Sequence, residues 1–578
     1  MSSANPCDIS LAITGSGGAG SMTAGELLLS LAGNNGCFGM MRGSFGPQIR
    51  GGEAAALVRI GHSPLECMND SFDLLLALDW LNAERFAEEI RLRPGSVIIA
   101  DPSAGEIPPS MRALGVEIIA VPMKALAKET AGGRANMVAL GLLAHWLGFC
   151  GDRASQLIEQ VFSSKGEAVV SGSRAAFNKG FTETLIVEAR AARNLPEPGE
   201  SKYQGQRWKL NGNEACGLGA LRGGIRFAAA YPITPASSLL EWLAPRLEAL
   251  GGSLVQAEDE LASINMIIGA SFGGVPALTA TSGPGLALML EAMGLAVAAE
   301  VPAVVVNVMR GGPSTGIPTK SEQSDLNIAL YGLHGDAPHL VLGALDHADC
   351  ILTTEWAVRL AEALQTIAVV LTDQNLAQSS VLIPKPEYQL PDIAARSTAQ
   401  HDENYQRYRL TDDGISPMAI PGTPSAMYVA DGLEHTESGK PSSAAADHLA
   451  QLDKRQRKIS DYDFGELWAD VRGQGETAII TWGSTAAAAR EAAVRLQADG
   501  HDVKVIALRL LLPASPDRLA SELVGCKRVL ILEQSHSRQF YHYLRAYYDI
   551  EAEVSVLARP GPLLITPGEI VQQIENWS

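Results

Sequence analysis

The chain has 578 residues, enough for roughly three to four domains of about 150 residues each. A hydrophobic share of 46% and 57 glycines fit a well-buried α/β protein with many tight strand-to-helix turns. A formal charge of −19 argues against nucleic acid and anionic membrane surfaces as partners.

The seven cysteines are Cys7, Cys37, Cys67, Cys150, Cys216, Cys350 and Cys526. They are odd in number and none stand in a C-x-x-C spacing, so neither a disulfide framework nor a zinc or iron–sulfur site is signalled. The N-terminus lacks the basic start and apolar core of a signal peptide. The most apolar long stretch, 285–309, holds Glu291, Glu300 and Pro302 and reads as a buried helix followed by a buried strand. A cytoplasmic protein without a membrane span is expected.

In chain order, 8–14 (DISLAIT) predicts a buried strand. The loop GSGGAG at 15–20 follows, then a helix through Leu27, Leu28, Leu29 and Leu31. This order lets bare backbone N–H groups approach an anion. The acid that holds a dinucleotide ribose should stand about 20 residues further on. No carboxylate appears there until Glu53, which disfavours NAD. The glycines therefore either shape a tight turn or touch a phosphate or coenzyme. Residues 42–52 (RGSFGPQIRGG) carry Arg42 and Arg50 in a loop that reads as a lid or an anion clamp.

Further strands are predicted at 54–60, 74–79 and 96–101, the last two ending in aspartate, and the first domain spans 1–195. Residues 196–213 are polar and turn-rich and predict a linker. A second α/β domain is expected at 214–385, with strands at 253–256, 276–281, 303–309 and 367–371 and an ambiguous stretch at 224–229. Such alternation implies a parallel sheet. Prolines and charges dominate 386–462, which is too long for an ordinary loop and reads as an arm or ordered excursion. Residues 463–578 predict a third α/β unit with strands at 477–482, 502–509 and 528–533.

Four strand ends of the second domain carry candidate chemistry. In Ala-Tyr-Pro-Ile-Thr-Pro at 230–235, Thr234 precedes a proline and should be extended. With Pro235 at the first helical position, Thr234 is predicted to cap a helix through Leu239, Leu240 and Leu243. That end is either a plain cap or a carboxylate-binding corner. Glu260 opens a helix of small and apolar residues, which leaves it little water. A carboxyl so placed is either a plain helix-start acid stabilised by the macrodipole or a group that can hold or share a proton with a ring nitrogen. The stretch TATSGPGL at 279–286 runs a strand into a glycine-shaped turn, placing Thr281, Ser282 and Gly283 where ligands bind parallel sheets. Arg310 ends a strand before GGPSTGIPT and is either a bidentate carboxylate grip or a surface arginine of a long loop. Taken together the four ends form one site.

These motifs resemble the α subunits of 2-oxoacid:ferredoxin oxidoreductases, most narrowly the 2-oxoglutarate type with a γ domain fused at its N-terminus. The resemblance runs over essentially the whole chain, including GSGGAG at 15–20, IRGG at 49–52, DGISP at 413–417, LEH at 433–435 and EQ at 533–534. It implies a γ-type α/β domain on the coenzyme A side at 1–195. It also implies a thiamine-enzyme pyrimidine-binding domain at 214–385, the arm at 386–462, and a transketolase-C-like α/β domain at 463–578.

The implied reaction is coenzyme A-dependent oxidative decarboxylation of 2-oxoglutarate, with thiamine diphosphate as cofactor and ferredoxin as electron acceptor. Carried over by position, Glu260 bonds the pyrimidine nitrogen, with Thr281, Ser282 and Gly283 beside it. Thr234, Arg310 and Tyr231 hold the substrate, and Gly15, Gly17, Gly18, Gly20 and Arg50 are candidates for coenzyme A. The distal carboxylate of 2-oxoglutarate needs its own cation, with Lys320 and a β subunit both open. Met418 stands where the family often has arginine, and Leu433-Glu-His-Thr-Glu-Ser where a more acidic run is common.

The sequence has no Gly-Asp-Gly followed by asparagines to hold magnesium and diphosphate, and no clustered cysteines. A β subunit is therefore expected to bring magnesium, the diphosphate site and a 4Fe-4S cluster, in an α2β2 assembly with no metal on this chain. The alternatives are pyruvate or another 2-oxoacid as substrate, a self-sufficient thiamine lyase, and a non-catalytic scaffold for coenzyme A or a nucleotide.

Overall fold

The computed structural model describes residues 8–46, 52–112, 115–193, 195, 203–399 and 401–577. They divide between two units, Met1–Asn211 with Gln378–Pro386, and Gly212–Ala377 with Glu387–Ser578.

Among the described residues the first unit holds an eight-stranded sheet. Its order is Glu117–Ala120, Leu92–Ala100, Phe72–Ala77, Ile9–Gly15, Ala54–Gly61, Phe38–Phe45, Ser380–Pro384 and Arg207–Asn211. The first four run parallel and the remaining pairings are antiparallel. Side chains alternate across a strand. Leu11, Ile13, Leu74 and Leu76 accordingly enter one apolar cluster, while Ala12, Leu75 and Ala77 enter another. Burial on both faces is why these strands read as continuous apolar runs.

Three segments depart from the sequence reading. Arg42 is not in a loop but in the strand Phe38–Phe45, opposite Leu57, with its guanidinium donating to Glu89 at 3.3 Å. Burial lowers Arg42's pKa, and Glu89 opposes the fall. Residues Arg207–Asn211 form a strand rather than a linker, and Ser380–Pro384, read from sequence within the second domain, belongs to the first unit and pairs with it and with Phe38–Phe45. These added strands satisfy backbone groups that a sheet edge would leave open. Nothing in their local composition announces it.

In the second unit a seven-stranded sheet runs Leu510–Leu512, Leu340–Gly343, Ile367–Asp373, Ala303–Met309, Ala277–Thr281, Phe227–Ala230 and Ser253–Gln256 among the described residues. All neighbours are parallel except the first pair. The last four strands therefore end side by side on one edge. A separate sheet runs Ala469–Arg472, Val503–Leu508, Thr477–Trp482, Arg528–Glu533 and Glu553–Ala558, parallel but for its first pair.

The arm is ordered by buried polar chemistry. Glu300 follows the helix Gly283–Ala298 and is fully buried. It accepts from Lys454 Nζ at 2.5 Å and Lys458 Nζ at 3.0 Å, both on the helix Ala445–Ser460. Arg407 donates to the Glu300 carbonyl at 2.8 Å and to Ser416 Oγ at 3.2 Å. The His435 ring stacks on Tyr408 at 3.5 Å, and Met418 is buried. The cations hold the Glu300 carboxyl far below the usual carboxylate range against its burial. Glu300→Gln keeps the shape but strands two buried ammonium groups, a loss of about 3–5 kcal/mol expected in chemical denaturation. Wild-type stability in that variant would show that the arm is held otherwise.

Candidate active site

The site grows from four adjacent strand ends. Each strand is short, and Ala303–Met309 (AVVVNVM) is buried along its whole length. Asn307 is the polar residue in that run.

Asp259 caps the helix Glu260–Phe272, its Oδ1 accepting from the Ala262 N–H at 2.7 Å. Glu260 is thereby the first helical residue, and it is 7% exposed. The helix Gly283–Ala298 begins after Ser282 with Pro284 in its first turn. A Cβ on Gly285 would lie 2.7 Å from Glu260 Oε1 and 2.1 Å from Thr281 Oγ1. The missing side chain is thus the space in which Glu260 and Thr281 meet. A Cβ on Gly283 would lie 2.6 Å from Asp325 Oδ1.

Arg310, 7% exposed, donates from Nη1 to the Thr234 carbonyl at 2.5 Å. Burial lowers its pKa and Asp325 pulls it back. Asp325 accepts from Asn307 Nδ2 at 2.9 Å and from Ser324 Oγ at 3.3 Å. Burial raises the Asp325 pKa, and these two donors with Arg310 oppose the rise. Arg310 Nε, Ser282 Oγ and Asn307 Oδ1 are buried without a hydrogen-bond partner among the described residues. Unmet buried polar atoms cost about 1–3 kcal/mol each, which a polar ligand can recover.

Of the predicted residues, Thr234, Glu260, Thr281, Ser282, Gly283 and Arg310 all stand on this edge. Tyr231 is 42% exposed after its strand. Thr234 does not cap the helix, which is Ser237–Ala249 with Ala236 at its N-cap. The Ser237 N–H bonds the Ile233 carbonyl at 3.1 Å, and Asn213 Nδ2 takes the Pro235 carbonyl at 2.8 Å. Thr234 is left in the preceding turn, where its carbonyl, not its hydroxyl, meets Arg310. Gly285, Asn307 and Asp325 were not singled out from sequence. An amide inside AVVVNVM is a usable signal, whereas Asp325 lies among polar loop residues and has none.

The first unit builds a second feature around the glycine loop. Asp79 accepts from the Ser16 N–H at 3.1 Å and the Ser16 hydroxyl at 2.7 Å, fixing the end of Ile9–Gly15, whose last residue is Gly15. Gly18 and Gly20 take left-handed φ of 87° and 89°, which only glycine adopts freely. Gly20 precedes the helix Ser21–Asn34 without a side-chain cap. Asn136, in the first turn of Ala135–Trp146, donates to the Gly20 carbonyl at 3.4 Å and keeps Oδ1 unpaired. A cavity of about 660 Å³ opens here, lined by Gly17, Gly18, Gly20, Arg134, Asn136 and Lys165 among others. Two helix N-termini and two cations suit an anion. Arg50 lies outside the described residues.

Two family models match the chain. One is described as pyruvate flavodoxin/ferredoxin oxidoreductase, thiamine diphosphate-binding, over residues 218–454, and the other as pyruvate ferredoxin/flavodoxin oxidoreductase over residues 10–183. The 2-oxoacid:ferredoxin oxidoreductase 2 α subunit of Aeropyrum pernix is 31% identical, covering 96% of this chain and 95% of that protein. The chain belongs to the family of 2-oxoacid:ferredoxin oxidoreductase α subunits.

A second member of the family, the 2-oxoacid:ferredoxin oxidoreductase 1 α subunit of Sulfurisphaera tokodaii, is 36% identical over 62% of this chain, and the match spans 60% of that protein's length. Among solved structures, the 2-oxoglutarate:ferredoxin oxidoreductase of Magnetococcus marinus, with 2-oxoglutarate, coenzyme A and succinyl-CoA bound, superposes with a TM-score of 0.89. It is 37% identical and covers 99% of both chains. The thiamine-binding family model includes every residue of the strand-end site. No helix among the described residues is long and apolar enough to cross a membrane.

Gly285→Ala puts a methyl group into the space of Glu260 and Thr281. It is expected to cost about 1–3 kcal/mol in denaturation and to displace the Glu260 side chain in a crystal structure of the variant. An unmoved Glu260 would contradict the close approach.

Proposed function

We propose that this chain is the α subunit of a coenzyme A-dependent 2-oxoacid:ferredoxin oxidoreductase with 2-oxoglutarate as substrate, working in the cytoplasm with a β subunit. One observation carries the reading. In a chain of this family, three buried unpaired polar atoms, on Ser282, Asn307 and Arg310, stand at the strand edge where Glu260 is packed against Gly285. The likeness to the Magnetococcus enzyme favours 2-oxoglutarate, while the wording of both family models favours pyruvate as the second reading.

Thiamine diphosphate, when bound, supplies the nucleophilic carbon and the electron sink that decarboxylation of a 2-oxoacid needs. The residues present fit its pyrimidine half: a buried carboxyl, an unpaired serine hydroxyl, and a helix start stripped of side chains at Gly283 and Gly285. Glu260 holds or shares a proton at the pyrimidine ring nitrogen. Thr281, Ser282 and Gly283 line the ring.

Arg310 binds the substrate carboxylate, with Thr234 holding the guanidinium through its carbonyl and Tyr231 at the rim. A charge-assisted bond donated by Arg310 Nε to that carboxylate also gives its unpaired N–H an acceptor. In the first unit, Gly17, Gly18 and Gly20 with Arg134, Asn136 and Lys165 form a cavity suited to the phosphates of coenzyme A. The β subunit supplies magnesium, the diphosphate site and a 4Fe-4S cluster in an α2β2 assembly, and ferredoxin takes the electrons singly.

The test is dye reduction with coenzyme A, thiamine diphosphate, magnesium and a low-potential viologen, using the chain alone and then with its co-purifying partner. Silence alone and 2-oxoglutarate-dependent reduction with the partner are expected. A preference for pyruvate would move the substrate, and activity from the isolated chain would overturn the half-site reading. Glu260→Gln is expected to abolish turnover while leaving the complex assembled by size-exclusion chromatography; full activity would remove Glu260 from the mechanism. Arg134→Ala is expected to raise the KM for coenzyme A and leave that for the 2-oxoacid unchanged; an unaltered coenzyme A dependence would refute the cavity's assignment.

A further inference from the structure

The loop after Arg310 returns a second carboxyl to the strand edge. Asp325 packs on Gly283, where a Cβ would lie 2.6 Å from its Oδ1 and 2.8 Å from its Oδ2. Asn307 Nδ2 donates to Oδ2 and Ser324 Oγ to Oδ1, while the same Ser324 hydroxyl also stands 2.9 Å from the Arg310 carbonyl. Asp325 and Arg310 act on one another across the site without a direct ion pair among the described residues.

The loop is held from outside the sheet. Gln323 Nε2 donates to the Trp482 carbonyl at 2.8 Å, and Gln534 N–H donates to Gln323 Oε1 at 2.7 Å. Gln539 Nε2 takes the Ser324 carbonyl at 2.8 Å, and its Oε1 accepts from the Asn327 N–H at 2.9 Å. Trp482 at a strand end, Gln534 just after a strand and Gln539 at a helix start thus bond the residues on both sides of Asp325. Its carboxyl is built into place.

We propose that Asp325 is a positioning residue for the oxoacid: it is the resting counter-ion of Arg310, and the substrate carboxylate takes over that role while Asp325 binds a proton. This rests on the assignment of Arg310 to the substrate. The charge logic is direct. An incoming carboxylate at Arg310 meets a fixed Asp325 anion in a poorly hydrated site, and like charges there cannot both stay ionised without a large penalty.

The groups facing Asp325 are Arg310 from the strand end and Glu322 from its own loop, with His536, in the segment after the strand Arg528–Glu533, acting on Glu322. Burial raises the pKa of both Asp325 and Glu322, and the Asp325 charge raises that of Glu322 further. The first turn of Gly283–Ala298 favours the Asp325 anion before the substrate binds. Since the protonated form accepts the substrate, affinity falls as pH rises through the Asp325 pKa.

The test uses the assembled complex and Asp325→Asn, which keeps the shape and an oxygen to accept from Asn307. The KM for the 2-oxoacid is followed from about pH 5 to about pH 9. It should rise by up to about tenfold per unit above the pKa in wild type, and the variant should flatten KM more than kcat. Calorimetry with glutarate, in two buffers of different ionisation enthalpy, should register uptake of up to about one proton in wild type and less in the variant. Identical pH profiles and identical proton uptake in the two proteins would overturn the proposal, as would a fall in kcat with the KM profile intact. Arg310→Ala separates the two levels. If it raises KM while Asp325→Asn changes nothing, only this inference falls. If it leaves KM unchanged, the assignment of Arg310 falls as well.

Discussion

The helix Gly283–Ala298 begins with two glycines whose missing side chains are replaced by the carboxyls of other segments. Glu260 fills the space at Gly285 and Asp325 the space at Gly283. A helix start is favourable for negative charge, because its first N–H groups are unpaired and the macrodipole points its positive end there. Without a Cβ at these positions two acids can approach that end closely. Everything else at the strand edge is arranged around this: Thr281 beside Glu260, Asn307 and Ser324 on Asp325, and Arg310 between the loop and Thr234.

The edge exists because the sheet is parallel. Four neighbouring strands run the same way, so the segments leaving them emerge together although they are far apart in sequence. The strands Ala277–Thr281 and Ala303–Met309 are buried along their whole length, and the polar side chains they bring to the site are Thr281 and Asn307. A rigid apolar frame with polar ends keeps functional groups in fixed geometry at little cost in mobility. The arm adds to that frame from behind. Its lysines and Arg407 close on Glu300 just past the end of the same helix that carries Gly283 and Gly285. Buried ion pairs of this kind are poor sources of net stability but demand one arrangement, since each charge is costly without its partner.

The first unit applies the same economy of side chains to a different end. Gly18 and Gly20 turn the loop with left-handed φ, Asp79 ties its start, and Asn136 from a helix more than a hundred residues later closes against Gly20. The cations Arg134 and Lys165 come with that distant helical layer. The loop alone specifies bare N–H groups, and the rest of the unit makes them a cavity.

Much of this was legible in the chain itself. Apolar runs such as 303–309 and 477–482 mark strands because a doubly covered strand has no polar face, and the structure places strands at those bounds. Glu260, Arg310 and the glycine turn at 283 were visible as chemistry at strand ends, because local sequence dictates where a strand stops and which residues leave it. Sequence did not show that Thr234 precedes its helix instead of capping it: the helix starts only at Ser237, and Asn213 of another helix donates to the Pro235 carbonyl in the turn before it. Nor did it show that Arg42 belongs to a strand, that 207–211 and 380–384 complete a sheet, or that Asp325 shares an edge with Glu260. Those facts depend on hydrogen bonds and close approaches between segments distant in sequence. Local propensity fixes the elements, and only packing decides which of their ends meet.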